Sequence, residues 1–200
     1  MERKALNILI ALFIVGTAFA AVAGESAKEE ISHAKQKTSK KKQQRPRMDV
    51  VFAIDATGSM SDEIEVIKKE VWQIANTILA GKPSPDVRFG LVFYKDQGEP
   101  FVVRSTDLTR DIDKIHELLM STSVAGGGDN PEHVGAGLHE ALGLSWEKGQ
   151  DVSRTIYLVG DAPGHTDYDD GLDVATAIQK AKKMGVVVQA IGCSGISSDS

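Results

Sequence analysis

Cysteine is almost absent. The 200-residue chain has one, Cys193, so no disulfide can close within it. No Lys, Arg or second cysteine flanks that thiol to lower its pKa, so it reads as a small apolar residue at a strand end. Basic charge is also scarce where a nucleic acid would need it. The chain carries −5, of which residues 1–23 hold +1 and residues 24–47 hold +5, leaving −11 on residues 48–200. A stretch this acidic lacks the footprint that phosphate backbones demand, which excludes nucleic acid as a partner. Clustered acids are compatible with cations instead. Other signals are missing too. The run Gly126-Gly127-Gly128 is not followed by the Gly-Lys-Ser/Thr of a phosphate loop. Asp167, Asp169 and Asp170 do not follow helix-loop-helix calcium spacing. They read as a solvated turn, with a second cation as the alternative.

What is present falls into three stretches. Residues 1–23 begin with Arg3 and Lys4, continue as an almost wholly apolar run, and end in the small-x-small sites Ala18-Phe19-Ala20 and Ala21-Val22-Ala23. This is the pattern of a secretory signal peptide. The run approaches the roughly 18 residues that cross a bilayer, so an uncleaved anchor competes with it. The small-residue end favours cleavage, and no cysteine follows to carry a lipid. The expectation is an exported protein, periplasmic or secreted. Residues 24–47 hold eight Lys or Arg against three Glu and almost no large apolar residue. They cannot bury a core and read as a basic disordered spacer. Membrane contact would come only through an uncleaved signal or this spacer.

Residues 48–200 read as one domain. Residues 48–54 form a near-continuous apolar strand of the kind buried on both faces. Ile64, Ile67, Val71, Ile74 and Ile78 recur at helical spacing and predict a helix over 61–80, stopped by Gly81 and Pro83. Residues 87–94 predict a strand, and Asp96-Gln97-Gly98 a hairpin into a short strand at 101–104. Helices are expected at 111–120, 131–144 and 172–184, and strands at 155–159 and 186–191. Trp72 and Trp146 read as packing residues. Strands alternating with helices predict an α/β fold: a mainly parallel sheet, helices on both faces, and one antiparallel edge strand.

Ligands of such sheets sit beyond the carboxyl ends of the strands. Asp55 stands at that end of the first strand, and Asp161, in TIYLVGDAPGH, at that end of another. The loop VAGGGDNPE brings Asp129 just ahead of a helix whose first turn would contain Pro131 and Glu132. A single Asp here would read as a turn or helix cap. Three acids on three loops are different, because carboxylates converge only around a cation. Thr57 and Ser59 add neutral oxygens. A hard ion such as Mg²⁺ takes such a set. His133 and His165 lie near the same rim and read as rim or surface residues. They are the general-base candidates of the enzymatic alternative, a metal-dependent hydrolase or phosphoryl-transfer enzyme. Phosphatases that form an aspartyl-phosphate place a second Asp two residues after the first, where this chain has Thr57.

The segment Asp55-Ala56-Thr57-Gly58-Ser59 resembles the D-x-[S/T]-x-S signature of von Willebrand factor type A domains. DATGSM, GGGDNPE and DAPGH, in that order, resemble a bacterial subgroup of them, with the likeness running from residue 48 to about 195. The resemblance implies a Rossmann-like fold and a metal-ion-dependent adhesion site holding Mg²⁺, with Mn²⁺ or Ca²⁺ as alternatives. Thr57 and Ser59 would bind the ion directly, and Asp55 and Asp161 largely through water. Asp129 falls where the family usually has Thr, a departure that adds charge. One position would take an acidic side chain of a protein partner. The implied function is a metal-dependent protein-binding module, not an enzyme. Such domains normally continue with a further helix and strand, so a domain lacking those elements is expected.

Overall fold

The computed structural model describes residues 45–126 and 131–193. The expected signal peptide, most of the spacer, Asp129 and the polar tail lie outside those residues. The elements run β1 (Arg47–Asp55), α1 (Ile64–Leu79), β2 (Asp86–Tyr94), β3 (Val103–Thr109), α2 (Ile112–Ser121), α3 (Val134–Ala141), β4 (Val152–Gly160), α4 (Val174–Met184) and β5 (Val187–Gly192). A 3-10 turn, Gly58–Asp62, precedes α1.

The strands form one sheet in the order β3-β2-β1-β4-β5. β1 is central and pairs in parallel with β2 and β4; β4 pairs in parallel with β5, and β3 is the antiparallel edge. The apolar run in β1 follows from that position, since side chains of both parities must be buried. Val50, Phe52 and Ile54 point to one face, where α1 brings Ile64, Ile67, Val71 and Ala75 and α2 brings Ile115 and Leu119. Val51 and Ala53 point to the other, against Val134, Leu138 and Ala141 of α3 and Ala177 and Ala181 of α4. Phe52 stacks between Phe89 and Tyr157, with centroids 6.4 and 5.4 Å away. Trp72 packs in the first cluster and Trp146 in the second.

Several boundaries differ from the sequence expectation. β1 starts at Arg47, inside the expected spacer, and Arg45 is tied to the Ser84 and Pro85 carbonyls. β3 begins two residues later than predicted and runs to Thr109, because the hairpin closes at Lys95 N–H to the Val102 carbonyl. β4 extends back to Val152, whose partner is Arg47. The helix predicted from Pro131 begins only at Val134, so Pro131 and Glu132 are not in its first turn. Glu132 is instead tied to another loop: its N–H donates to Pro163, and His165 N–H donates to its carbonyl. β5 pairs with β4 alone among the described residues, and most of its length is exposed.

Candidate metal centre

From β1 the chain crosses through α1 to β2 on one side; it later returns through α3 to β4 on the other side of β1. The crevice between the carboxyl ends of β1 and β4 is therefore where the winding reverses, the place where open α/β sheets hold ligands. Asp55 is the last residue of β1, and Asp161 follows β4 directly.

Asp55 is fully buried. Its Oδ1 accepts from the Thr57 N–H at 2.9 Å and from the Thr57 hydroxyl at 2.6 Å. The Ser59 hydroxyl donates to Asp161 Oδ1 at 3.1 Å. With both hydroxyl protons committed to carboxylates, none is left between Thr57 Oγ1 and Ser59 Oγ, which stand 3.1 Å apart. Their lone pairs are free to face a common ion. An octahedral Mg²⁺ with bonds of about 2.1 Å sets neighbouring oxygens about 3 Å apart, so the spacing fits. Asp55 Oδ2 is buried with no hydrogen-bond partner. An acid without a partner in a dry place is costly unless a cation or proton meets it. Burial pushes the Asp55 carboxyl up to about 6; Thr57 holds it back and the Asp161 charge adds to the rise. Tyr94 packs beneath this corner, its hydroxyl donating to the Val159 carbonyl at 3.3 Å.

The second loop is laid along the first. Gly58 N–H donates to the Gly126 carbonyl at 2.6 Å, and Ala125 N–H to Ala56 at 3.4 Å. Lys95, buried at the end of β2, donates to the Ala125 carbonyl. The sequence reading missed Glu132. It is 1% exposed, and its Oε2 has no hydrogen-bond partner. Burial first, then the charges of Asp55 and Asp96, lift its carboxyl to about 7, while a hydrogen bond with the Thr57 side chain opposes them. The only available signal was an acid three places after the expected loop ligand Asp129. Among the described residues no three His, Cys, Asp or Glu side chains are grouped to hold an ion by themselves. A cation here has to use the hydroxyls, or water, as well.

The two histidines have other employment. His133 is buried rather than on the rim. Its Nδ1 accepts from Ala136 N–H at the start of α3, and its Nε2 lies 2.7 Å from Asp170 Oδ2. His165 stacks on Tyr168 at 3.9 Å and pairs through Nδ1 with Asp167 at 2.7 Å. Tyr168 in turn donates to Asp96. The 167–170 turn, expected to be merely solvated, is thus held by two imidazoles. Cys193 packs against the first core cluster, and burial pushes its thiol up to about 12, as an inert cysteine requires.

A curated relative, the alpha-protein kinase vwkA of Dictyostelium discoideum, is 27% identical over 128 residues, covering 63% of this chain and 20% of that protein. The chain thus spans about a fifth of that relative's length. The solved pilus adhesin SpaC of Lactobacillus rhamnosus GG, in its open conformation, superposes with a TM-score of 0.57 at 16% identity, over 75% of this chain and 24% of the adhesin. Proximal thread matrix protein 1 of the mussel byssus gives 0.55 at 19% identity, over 74% and 36% of the two chains. At these identities the likeness is one of fold. In sequence, the family model of the von Willebrand factor A domain matches residues 49–195, and the chain belongs to that family.

Proposed function

We propose that the chain is a metal-dependent protein-binding module, with a metal-ion-dependent adhesion site of the bacterial type suggested by DATGSM, GGGDNPE and DAPGH. The ion would be Mg²⁺, with Mn²⁺ or Ca²⁺ able to replace it. Thr57 and Ser59 would bind it through their hydroxyls, with Asp55 and Asp161 holding those hydroxyls and bound water. Asp129 would serve from the second loop. A protein partner would offer an acidic side chain to the remaining position. The observation that carries this reading is the pair of hydroxyl oxygens, 3.1 Å apart, with both protons turned into carboxylates. The non-enzymatic reading is supported by His133, whose two ring nitrogens are engaged with Asp170 and the Ala136 N–H, and by His165, whose Nδ1 is engaged with Asp167. The amino-terminal pattern supports an exported protein. Among the described residues no helix is long and apolar enough to cross a membrane.

Calorimetric titration of Mg²⁺ and Mn²⁺ into the metal-stripped full chain tests this. Binding is expected in the wild type and in Asp129→Thr. It should weaken by on the order of tenfold or more in Asp55→Asn and Asp129→Ala. A folded wild-type chain that binds neither ion would end the metal reading.

A further inference from the structure

We propose that the groove between β3 and the end of α2, headed by Arg104, receives a second acidic side chain of the protein partner, with an apolar side chain next to it. The inference rests on the metal reading above and goes on to the chemistry of the partner. That partner offers an acidic segment: one carboxylate for the ion, and another, beside an aromatic residue, for Arg104. Three observations carry it.

First, the Arg104 guanidinium is unspent. Among the described residues Arg47, Arg88 and Arg110 are held by carboxylates, and Arg45 and Arg154 by backbone carbonyls. Arg104 is exposed and has neither; it lies over the Phe101 ring, 4.0 Å from the centroid. Stacking fixes the plane and leaves the N–H fork at its edge open to a carboxylate. Less side-chain freedom is then lost on binding. Residues 48–200 carry −11, so most of this surface repels an acidic segment. An arginine with no acid of its own marks the place where such a segment is steered and held.

Second, the groove has a surface to match. It encloses about 360 Å³, Phe93, Phe101 and Leu118 give it apolar walls, and no acidic residue lines it. The Leu118 carbonyl at the end of α2 already accepts from the Ser121 and Thr122 hydroxyls, so it does not compete for Arg104. A carboxylate alone would leave the apolar walls wet. An aromatic side chain beside the acid would cover them.

Third, the groove adjoins the metal crevice through a short run of contacts. Phe101 lies 5.1 Å from Lys95 Nζ, and Lys95 donates to the Ala125 carbonyl. The Ala125 N–H donates at 3.4 Å to Ala56, which stands between Asp55 and Thr57. That path is no longer than on the order of 20 Å, a distance that about six extended residues span. β3 is the last strand on its side of the sheet, so one segment can reach both places along an open edge.

Fluorescence anisotropy of labelled synthetic peptides on the full chain, in saturating Mn²⁺ or in chelator, provides the test. One peptide carries a single Asp in a Gly/Ser chain. Others add Phe-Asp after a spacer of about two, four or six Gly/Ser residues, and a matched set ends in Phe-Asn. In Mn²⁺ the best Phe-Asp peptide should bind about fivefold more tightly than the single-Asp peptide and than its Phe-Asn match. Arg104→Gln should remove that gain; since Arg104 makes no hydrogen bond to the fold, the variant should keep its stability. Arg110→Gln takes the same charge from an arginine tied to Asp86 and should preserve the gain. Equal affinity of the Phe-Asp and Phe-Asn peptides, a gain that survives in Arg104→Gln, or equal losses in the two variants would overturn the inference. So would a wild-type chain that binds Mn²⁺ but none of the peptides. If the single-Asp peptide binds only with Mn²⁺ and Phe-Asp adds nothing, the inference falls and the proposed function stands. Peptide binding that is unchanged in chelator removes the metal reading, and the inference with it.

Discussion

Gly160 shows how tightly single residues define the corner that holds Asp55. A β-carbon there would lie 2.6 Å from the Tyr94 hydroxyl oxygen and 3.4 Å from Asp55 Oδ2. Tyr94 is itself tightly enclosed: it is buried, and its ring packs so closely on Gly137 that a β-carbon there would lie 2.6 Å from it. Gly160→Ala should therefore overpack the site and cost about 1–3 kcal/mol in urea denaturation. In a Tyr94→Phe background, which removes the oxygen in the way, part of that cost should disappear. Equal cost in both backgrounds would mean that the strain lies elsewhere. The acids at this corner were not equally legible in the sequence. Asp55, Thr57, Ser59 and Asp161 could be read because an apolar strand ending in an acid is a local pattern, and the structure brings these four together. Glu132 could not. Pro131 suggests a helix start, so the acid beside it reads as a first-turn residue. What fixes Glu132 is pairing with residues 163–165, and nothing in its own neighbourhood announces that contact.

At the scale of elements, α4 has strong end signals. Asp173 Oδ1 accepts from Thr176 N–H at 2.8 Å, and Gly185 closes the helix at φ +65°. Asp173→Ala should cost about 1 kcal/mol, as should Gly185→Ala, where a side chain must enter the left-handed region. Neither residue touches the crevice, so Mn²⁺ affinity should stay unchanged in both variants. A loss of affinity in parallel with stability would show that α4 and the site unfold as one unit. The type and order of the elements could be read from period and length, since burial on two faces forces β1 to be apolar and burial on one face gives α1 its stripe. Boundaries were less legible for a related reason. The first residues of β4, Val152 to Arg154, include polar side chains that a local reading assigns to a loop. They are strand because β1 offers Arg47, Met48 and Asp49 as partners. The capping His133 likewise shortens α3 through its ring, a role that Ser, Thr, Asp and Asn usually fill.

Across the whole molecule, the buried acids are treated differently at the two ends of the sheet. At the amino end of β1 the buried Asp49 is met by Arg88 through two bonds of 2.8 and 2.6 Å, and Arg47 engages Glu147 and Asp151. At the carboxyl end Asp55 and Glu132 each keep one oxygen without a hydrogen-bond partner. That asymmetry makes a prediction about pH. In the metal-free fold Asp55 titrates at about 6 and Glu132 at about 7. Unfolded, both fall near 4. Between about pH 4 and 7 the folded chain therefore binds more protons at these two groups than the unfolded chain does. Stability then rises as pH falls through that window and is lost as pH climbs above it. Aspartates held below their usual range, such as Asp86 and Asp170, oppose this only in stronger acid. His165, held above its usual value, changes stability in the same direction as the two acids. Denaturation in chelator between pH 8 and 5.5 should accordingly show a more stable chain at the lower pH, with a shallower slope in Asp55→Asn. Saturating Mg²⁺ should reverse the trend, because the ion takes the deprotonated acids and stabilises the fold most where protons are scarce. A metal-free chain that loses stability over the same interval would mean that these carboxyls are not held in the protonated form by the fold.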